Sequence, residues 1–355
     1  MKISGTVVFE RKKDEGSEQF LNEQFLEFYI NGVVHRVAYN DFRDNLSEEL
    51  VEEVPAAQIG IGVPIGQVSS SVPGSISLKK ALDFLLNNVH ELGEIITDDA
   101  ELIIESDAFV FLRLPWETRI DRKKTIVLRQ IANGSSSKRQ ELAASNRANF
   151  LIIRSHAHKN GATDIGDLRD RMKEEVHCIV DELMENSHSQ LRVGGVEIIK
   201  HGTKEEISRV EFNSLHYVHM IMHGEESGNL CLEKTNLPDQ IDTLSRDEFL
   251  SLLERAGVNG VLLFFLSFCY SGGGEISESN LSFELVKRGI AEYAVGYDGG
   301  VGNDSAMDFA KDFYPYLASG KGIKDSFAEA YRKRVGAGYM PLLYGRFLET
   351  EELHI

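Results

Sequence analysis

No stretch of this chain is apolar for long enough to cross a bilayer. The longest such run, residues 261–268 (VLLFFLSF), is interrupted only by Ser267 and falls far short of the ~20 residues that a spanning helix needs. The opening residues, MKISGTVVFERKKDEG, hold no apolar signal core and no cleavage site, so nothing in them directs export. Cysteine is scarce: Cys178, Cys231 and Cys269 are odd in number and make no CxxC pair, which excludes that type of metal site. A reducing cytoplasm is the expected setting, and it would keep Cys269 free. Basic residues are outnumbered, 38 Lys and Arg against 56 Asp and Glu, a net charge of -18 with no dense Lys/Arg run. A grip on nucleic acid needs a basic face. The acidic surface suits a basic protein segment instead.

What the chain does have is a core. Its 355 residues are 42% hydrophobic, enough for one large domain or two modest ones. Residues 2–10 alternate as a strand does, and residues 25–30 and 33–39 flank Asn31-Gly32, which predicts a hairpin with a two-residue turn. An acidic stretch at 45–53 and a Gly/Ser/Pro-rich passage at 60–75 read as loop and linker. The helix predicted over 78–89 gathers Leu78, Ala81, Leu82, Leu85 and Leu86 on one face. Residues 1–95 are thus expected to form a small β-rich module with a linking helix, and 96–355 a second domain.

In that second domain strands alternate with helices. Strands are expected at 102–105 continuing to 114, then at 125–131, 150–154, 196–200, 215–222, 261–268 and 292–297. Helices are expected at 167–185, after Thr203, and at 246–256, 281–288, 304–318 and 322–335. This is the signature of an α/β fold, a mostly parallel sheet with helices on both faces. The segment 135–148 is polar and is expected to be mobile, and no internal repeat is present.

Two predicted strands stop at a reactive side chain next to glycine. LHYVHMIMHG ends at His223-Gly224, and VLLFFLSFCYSGGG runs through Cys269 to Gly272. Between them Ser245-Arg-Asp-Glu248 makes a capping box ahead of Phe249, Leu250, Leu252 and Leu253, with Gly257 as the stop. Strand, helix and strand with a right-handed crossover put both carboxyl ends at one edge of a sheet. His223 and Cys269 are therefore expected side by side. A cysteine needs a nearby imidazole to become a nucleophile at neutral pH, and the N–H groups of Gly224 and Cys269 can face the oxygen of an attacked carbonyl.

VHMIMHG and VLLFFLSFCYSGG resemble the His-Gly and Cys boxes of CHAT domains, caspase-like cysteine peptidases of clan CD related to the separases. Arg113-Leu-Pro-Trp-Glu117 resembles the family's LPWE segment, and the stretch from Ala291 to Asp298 resembles its strand after the cysteine. The resemblance covers about 96–355. It implies a caspase-like fold and a cysteine endopeptidase with a His223–Cys269 dyad, no cofactor and no metal. It further implies cleavage of a dedicated protein partner, gasdermin-like or other, in bacterial antiviral defence or programmed cell death, with a separate sensor or activator. The alternative is a catalytically silent scaffold that docks protein partners, because a fold alone does not establish an activity.

The remaining candidates carry two readings each. Asp298 follows its strand into the same edge: by resemblance to separases it selects a basic residue before the scissile bond, and as a residue ahead of Gly299-Gly300 it forms a turn. His216, His219 and His223 spell HxxHxxxH, yet strand alternation sends His216 to the face opposite the other two, so zinc is not expected there. His219 matches the first histidine of the family box, which implies packing or hydrogen bonding beneath the dyad. Trp116 and Glu117 are read as structural, Asp304 as a helix-start residue, Gly272 to Gly274 as a rim beside the nucleophile, and Cys178 and Cys231 as inert.

Overall fold

A computed structural model describes residues 2–13, 20–30, 33–38, 73–88, 101–106, 109–118, 125–132, 147–185, 191–225, 227–272, 280–334 and 340–346. The Asn31-Gly32 turn, the acidic stretch at 45–53, most of the 60–75 linker, most of the 135–148 segment, and Gly273 and Gly274 lie outside the described residues. The chain gathers into two compact units, Met1–Ala132 and Asn133–Ile355.

In the first unit β1 (Lys2–Lys13), β2 (Phe20–Ile30) and β3 (Val33–Ala38) form an antiparallel meander. The pairing of Ile30 with Val33 is the register that a two-residue connection requires. Helix α1 (Pro73–Asn88) buries Ala81, Leu82 and Leu85, as the 3.6-residue spacing predicts. Strand β4 (Glu101–Ser106) runs parallel to β1, and after helix α2 (Phe109–Arg113), β5 (Ile126–Ile131) runs parallel to β4.

Helix α2 corrects the expectation of strand through to residue 114. Phe, Val, Phe and Leu favour strands locally, but Arg129 Nε donates to the Leu112 carbonyl at 2.7 Å and so satisfies an acceptor at the helix end. Arg129 also makes a bidentate pair with Glu117 at 2.6 and 2.9 Å, with both side chains buried. Trp116 is fully buried beside them. The LPWE segment is thus a structural knot, as the reading of Trp116 and Glu117 anticipates.

The second unit holds the larger sheet. In chain order it contains β6 (Ala148–Arg154), the short hairpin β7 (Lys159–Asn160) and β8 (Thr163–Asp164), α3 (Arg169–Glu185), β9 (Val193–Ile199) and α4 (Lys204–Ser208). Then come β10 (Tyr217–Ile221), β11 (His223–Gly224), β12 (Leu230–Lys234), β13 (Leu237–Leu244), α5 (Arg246–Arg255) and β14 (Val261–Ser267). Helix α6 (Leu281–Lys287), β15 (Ala291–Tyr297), α7 (Asn303–Ala318), α8 (Ile323–Lys333) and β16 (Pro341–Gly345) complete it.

The strand order is β16-β15-β14-β10-β6-β9, parallel throughout except that β16 is antiparallel to β15. Register and alternation show which helix covers which face. Phe264, Ala294 and Tyr344 sit abreast, and Phe283 of α6 meets Tyr344 edge-on. The next residues along, His219 abreast of Phe265, face α7 through Phe309, Phe313 and Tyr314. Helices therefore cover both faces, and every residue of β10 and β14 is buried. Helix α5 starts at the expected capping box, with Ser245 and Glu248 each accepting from the other's backbone.

A second, five-stranded sheet ordered β11-β12-β13-β7-β8 is absent from the sequence reading. It grows from the end of β10 and carries much of the site. Among the described residues no helix is long and apolar enough to cross a membrane.

Candidate active site

Strands β10 and β14 are paired in parallel, with Ile221 opposite Ser267 as their last partners. His223 and Cys269 each stand two residues beyond that pair, at the carboxyl edge where the helix-spanned crossover places them. Gly224 seats the two ends against each other. A Cβ on Gly224 would run into the carbonyl oxygen of Cys269 and come within 2.8 Å of the Phe268 ring, so only glycine allows this approach.

The turn that carries the sulfur is tied down on both sides. Tyr270 has φ of 59°, unusual for a residue with a side chain, and its N–H donates to Gly299 O at 2.8 Å. Ser271 Oγ donates to Phe268 O at 2.8 Å and accepts from Tyr297 N at 3.1 Å, while Gly272 N donates to Tyr297 O at 3.0 Å. A Cβ on Gly272 would lie 3.0 Å from the backbone of Gly296 and Tyr297. Strain of about 1–3 kcal/mol in such a conformation persists only where the surroundings enforce it.

His223 and Cys269 are each held by backbone. Nε2 of His223 lies 2.9 Å from Gly166 O. A carbonyl only accepts, so Nε2 carries the proton and the Nδ1 lone pair is left open in the neutral ring. Burial pushes the His223 pKa below its ordinary value, opposed by the Gly166 carbonyl and by the charges of Asp167 and Asp164. The Cys269 sulfur lies 3.4 Å from both N and O of Val301. Burial raises its pKa, with Val301 N–H opposing. Burial thus works against the charged form of each group.

The other sequence candidates separate cleanly. His219 lies in the core, its Nδ1 2.9 Å from Tyr314 Oη and its Nε2 2.9 Å from Glu175 Oε1, which also accepts from Ser267 Oγ at 2.7 Å. His216 Nδ1 accepts from Asn149 N at 3.1 Å. The three histidines of HxxHxxxH thus have three unrelated sets of partners, whereas alternation alone separates only His216 from the other two. Asp298 follows β15 at the same edge, its N–H donating to Met340 O at 3.2 Å. Cys231, opposite His223 in the pairing of β11 with β12, is buried with its pKa pushed up to about 12.

Sequence reasoning missed Gly166 and Val301. Both act through backbone atoms, which no side-chain pattern marks. Gly166 has φ of 101° and follows the β7–β8 hairpin, and an Asp-Ile-Gly-Asp run was the only hint.

A family model described as "CHAT domain" matches residues 77–337. A comparison with curated proteins finds no match. Among solved structures, a secreted C11 cysteine protease from Bacteroides thetaiotaomicron in complex with an irreversible peptide inhibitor is similar at 12% identity and TM-score 0.35, over 52% of this chain and 58% of that one. The RgpB pro- and mature domains of Porphyromonas gingivalis match at 9% identity and TM-score 0.38, over 76% and 68% of the two chains. The Saccharomyces cerevisiae separase–securin complex matches at 11% identity and TM-score 0.38, over 90% of this chain and 22% of that one.

Proposed function

Because this chain belongs to the CHAT domain family, we propose that it is a cysteine endopeptidase whose dyad is His223 and Cys269. The observation that carries the reading is the register: the two side chains stand at equal steps past the last paired residues of adjacent parallel strands, with Gly224 packed on the Cys269 backbone.

A substrate carbonyl entering the edge draws the thiol away from Val301. The Cys269 proton passes to Nδ1 of His223, and the sulfur forms a bond to the carbonyl carbon. The N–H groups of Gly224 and Cys269 hold the oxyanion. Collapse breaks the C–N bond, the leaving amine takes the proton from Nδ1, and a thioester remains. Water then attacks with His223 again as base, releasing the acid and restoring the thiol. Gly166 O keeps the Nε2 proton in place throughout, so Nδ1 alone cycles. No cofactor enters these steps.

Asp298, at the same edge, selects a basic residue before the scissile bond by a charge-assisted pair. The substrate is a dedicated protein, gasdermin-like or of another kind, met in the cytoplasm during antiviral defence or programmed death, with a separate sensor chain as trigger. The silent scaffold has one observation on its side: the Cys269 sulfur rests on the Val301 backbone and not on the imidazole. The test is a positional-scanning peptide library with wild type and Cys269→Ala. Loss of all cleavage in a folded variant supports the enzyme, and unchanged cleavage overturns it.

A further inference from the structure

Beside the dyad lies a second cluster that the proposed chemistry does not use. Glu233 of β12 is buried, and each of its oxygens meets an imidazole: Oε1 is 2.7 Å from His156 Nδ1, and Oε2 is 2.9 Å from His201 Nδ1. Donor atoms of the three residues all lie within 4.8 Å of one another. The two rings meet edge to face at 5.4 Å. Two imidazoles and one carboxylate form a ligand set suited to a borderline ion such as Zn2+, with a fourth position open to water.

The backbone builds this convergence from three strand ends. His156 follows β6, His201 follows β9, and Glu233 lies where the β12–β13 register shifts. Gly202 is their crossing point: its N–H donates to Arg154 O at 2.8 Å, and its O accepts from Glu233 N at 2.9 Å. A Cβ there would stand 3.0 Å from Arg154 O and 3.3 Å from Ser155 Cβ, so a side chain would hold the strand ends apart. His156 N also donates to Glu233 Oε1 at 3.1 Å, which aims the carboxylate. Ligand atoms about 2.0–2.2 Å from a tetrahedral ion stand about 3.4 Å from one another, so each carboxylate–imidazole pair must open by about 0.5–0.7 Å to admit the ion. The His201 side chain, 62% exposed, is free to make that move.

The cluster connects to His223 by two routes. Ser155 Oγ donates at 2.9 Å to the carbonyl of Cys231, which is paired with His223. His158 N donates to Asp239 O, and His158 O accepts from Ile165 N at 2.8 Å. Ile165 precedes Gly166, whose carbonyl holds His223 Nε2.

We propose that His156, His201 and Glu233 form a site for a divalent transition-metal ion of the Zn2+ class, and that its occupancy fixes the segment from His156 to Gly166 that positions His223. The site is separate from the dyad and stands whether or not the chain cleaves peptides.

The experiment uses the full chain carrying Cys269→Ala, so that the dyad thiol cannot take the ion. Calorimetric titration with Zn2+ is expected to show one equivalent bound, and Co2+ to give the visible absorption of a site with few ligands. Adding His201→Ala, an exposed position that leaves the fold intact, should weaken binding by at least ~10–100-fold, the scale on which even outer-shell changes act. Zn2+ should raise the melting temperature and slow amide exchange over residues 156–166 in the parent, and do neither in the His201 variant. Absence of stoichiometric binding, or equal binding by the two proteins, would overturn the site. Binding without any change in exchange at 156–166 would overturn the link to His223.

Discussion

Strand β10 and its continuation carry two histidines four residues apart, and the regions around them could hardly differ more. His219 is buried at 2% exposure with both ring nitrogens engaged, one by Tyr314 and one by Glu175, and with Phe265 stacked on it at 4.7 Å. His223 sits at the rim with one nitrogen held by a carbonyl, and among the described residues no partner faces the other. A ring with both nitrogens bound is a packing element, since neither is available to accept a proton. A ring held at one nitrogen and open at the other is a positioned base. The same residue type is thus a packed element at one position and, in the proposed mechanism, a base four residues further along.

That contrast breaks most visibly at the rim. Replacing Cys269 or His223 by alanine should lower peptidase activity by on the order of 10^4-fold or more, with unfolding free energy changed by no more than about 1–1.5 kcal/mol. Activity assays on library peptides and denaturant melts read the two quantities. In the core the pattern inverts. Glu175→Ala strips His219 and Ser267 of their shared acceptor and should cost about 3–5 kcal/mol by denaturant unfolding, while activity per folded molecule stays within a few fold.

Gly224→Ala sits between the two regions. Its new methyl group meets the Cys269 carbonyl and the Phe268 ring, and displacement of the site by about 1 Å should cost on the order of 10^2-fold in turnover. A melt within about 1–3 kcal/mol of wild type separates this from unfolding. Full activity in that variant would mean that the seating of the strand ends is irrelevant.

The pH dependence sharpens the rim further. In the proposed mechanism His223 acts as base when neutral, and the downward shift of its pKa by burial extends the neutral form toward acid. Peptide turnover should therefore decline only below the ordinary histidine value of about 6.5. The raised Cys269 pKa has the opposite consequence for the resting thiol. Its alkylation by iodoacetamide should be slow at neutral pH and still climbing above about 8.5, and a plateau near neutrality would reveal a preformed thiolate. The smallest effect is expected at Asp298→Asn, which should lower turnover of Arg- and Lys-containing peptides by about 10–100-fold and leave peptides with apolar residues at that subsite unchanged.

The carboxyl edge was legible because β10 and β14 are buried on both faces and read as strongly apolar runs, interrupted only by His219 in the one and closed by Ser267 in the other, with a capping box marking the helix between them. The small sheet was not. Residues 237–244 alternate weakly and are mostly half-buried or exposed, and Thr235-Asn236 lacks the glycine that announces a tight hairpin. Residues 109–113 misled for the reverse reason: their β-forming side chains are overridden by the Arg129 guanidinium at the helix end. Gly166, Val301 and the meeting of His156, His201 and Glu233 depend on backbone placement by elements far apart in sequence, which local pattern cannot encode.

In the proposed mechanism His223 activates Cys269. Intact-mass analysis after treatment with a peptidyl electrophile ending in a basic residue tests it most directly. One adduct is expected, on Cys269, lost when His223 is replaced by alanine. An adduct on Cys231 or Cys178 instead, or labelling of Cys269 at an undiminished rate without His223, would contradict it.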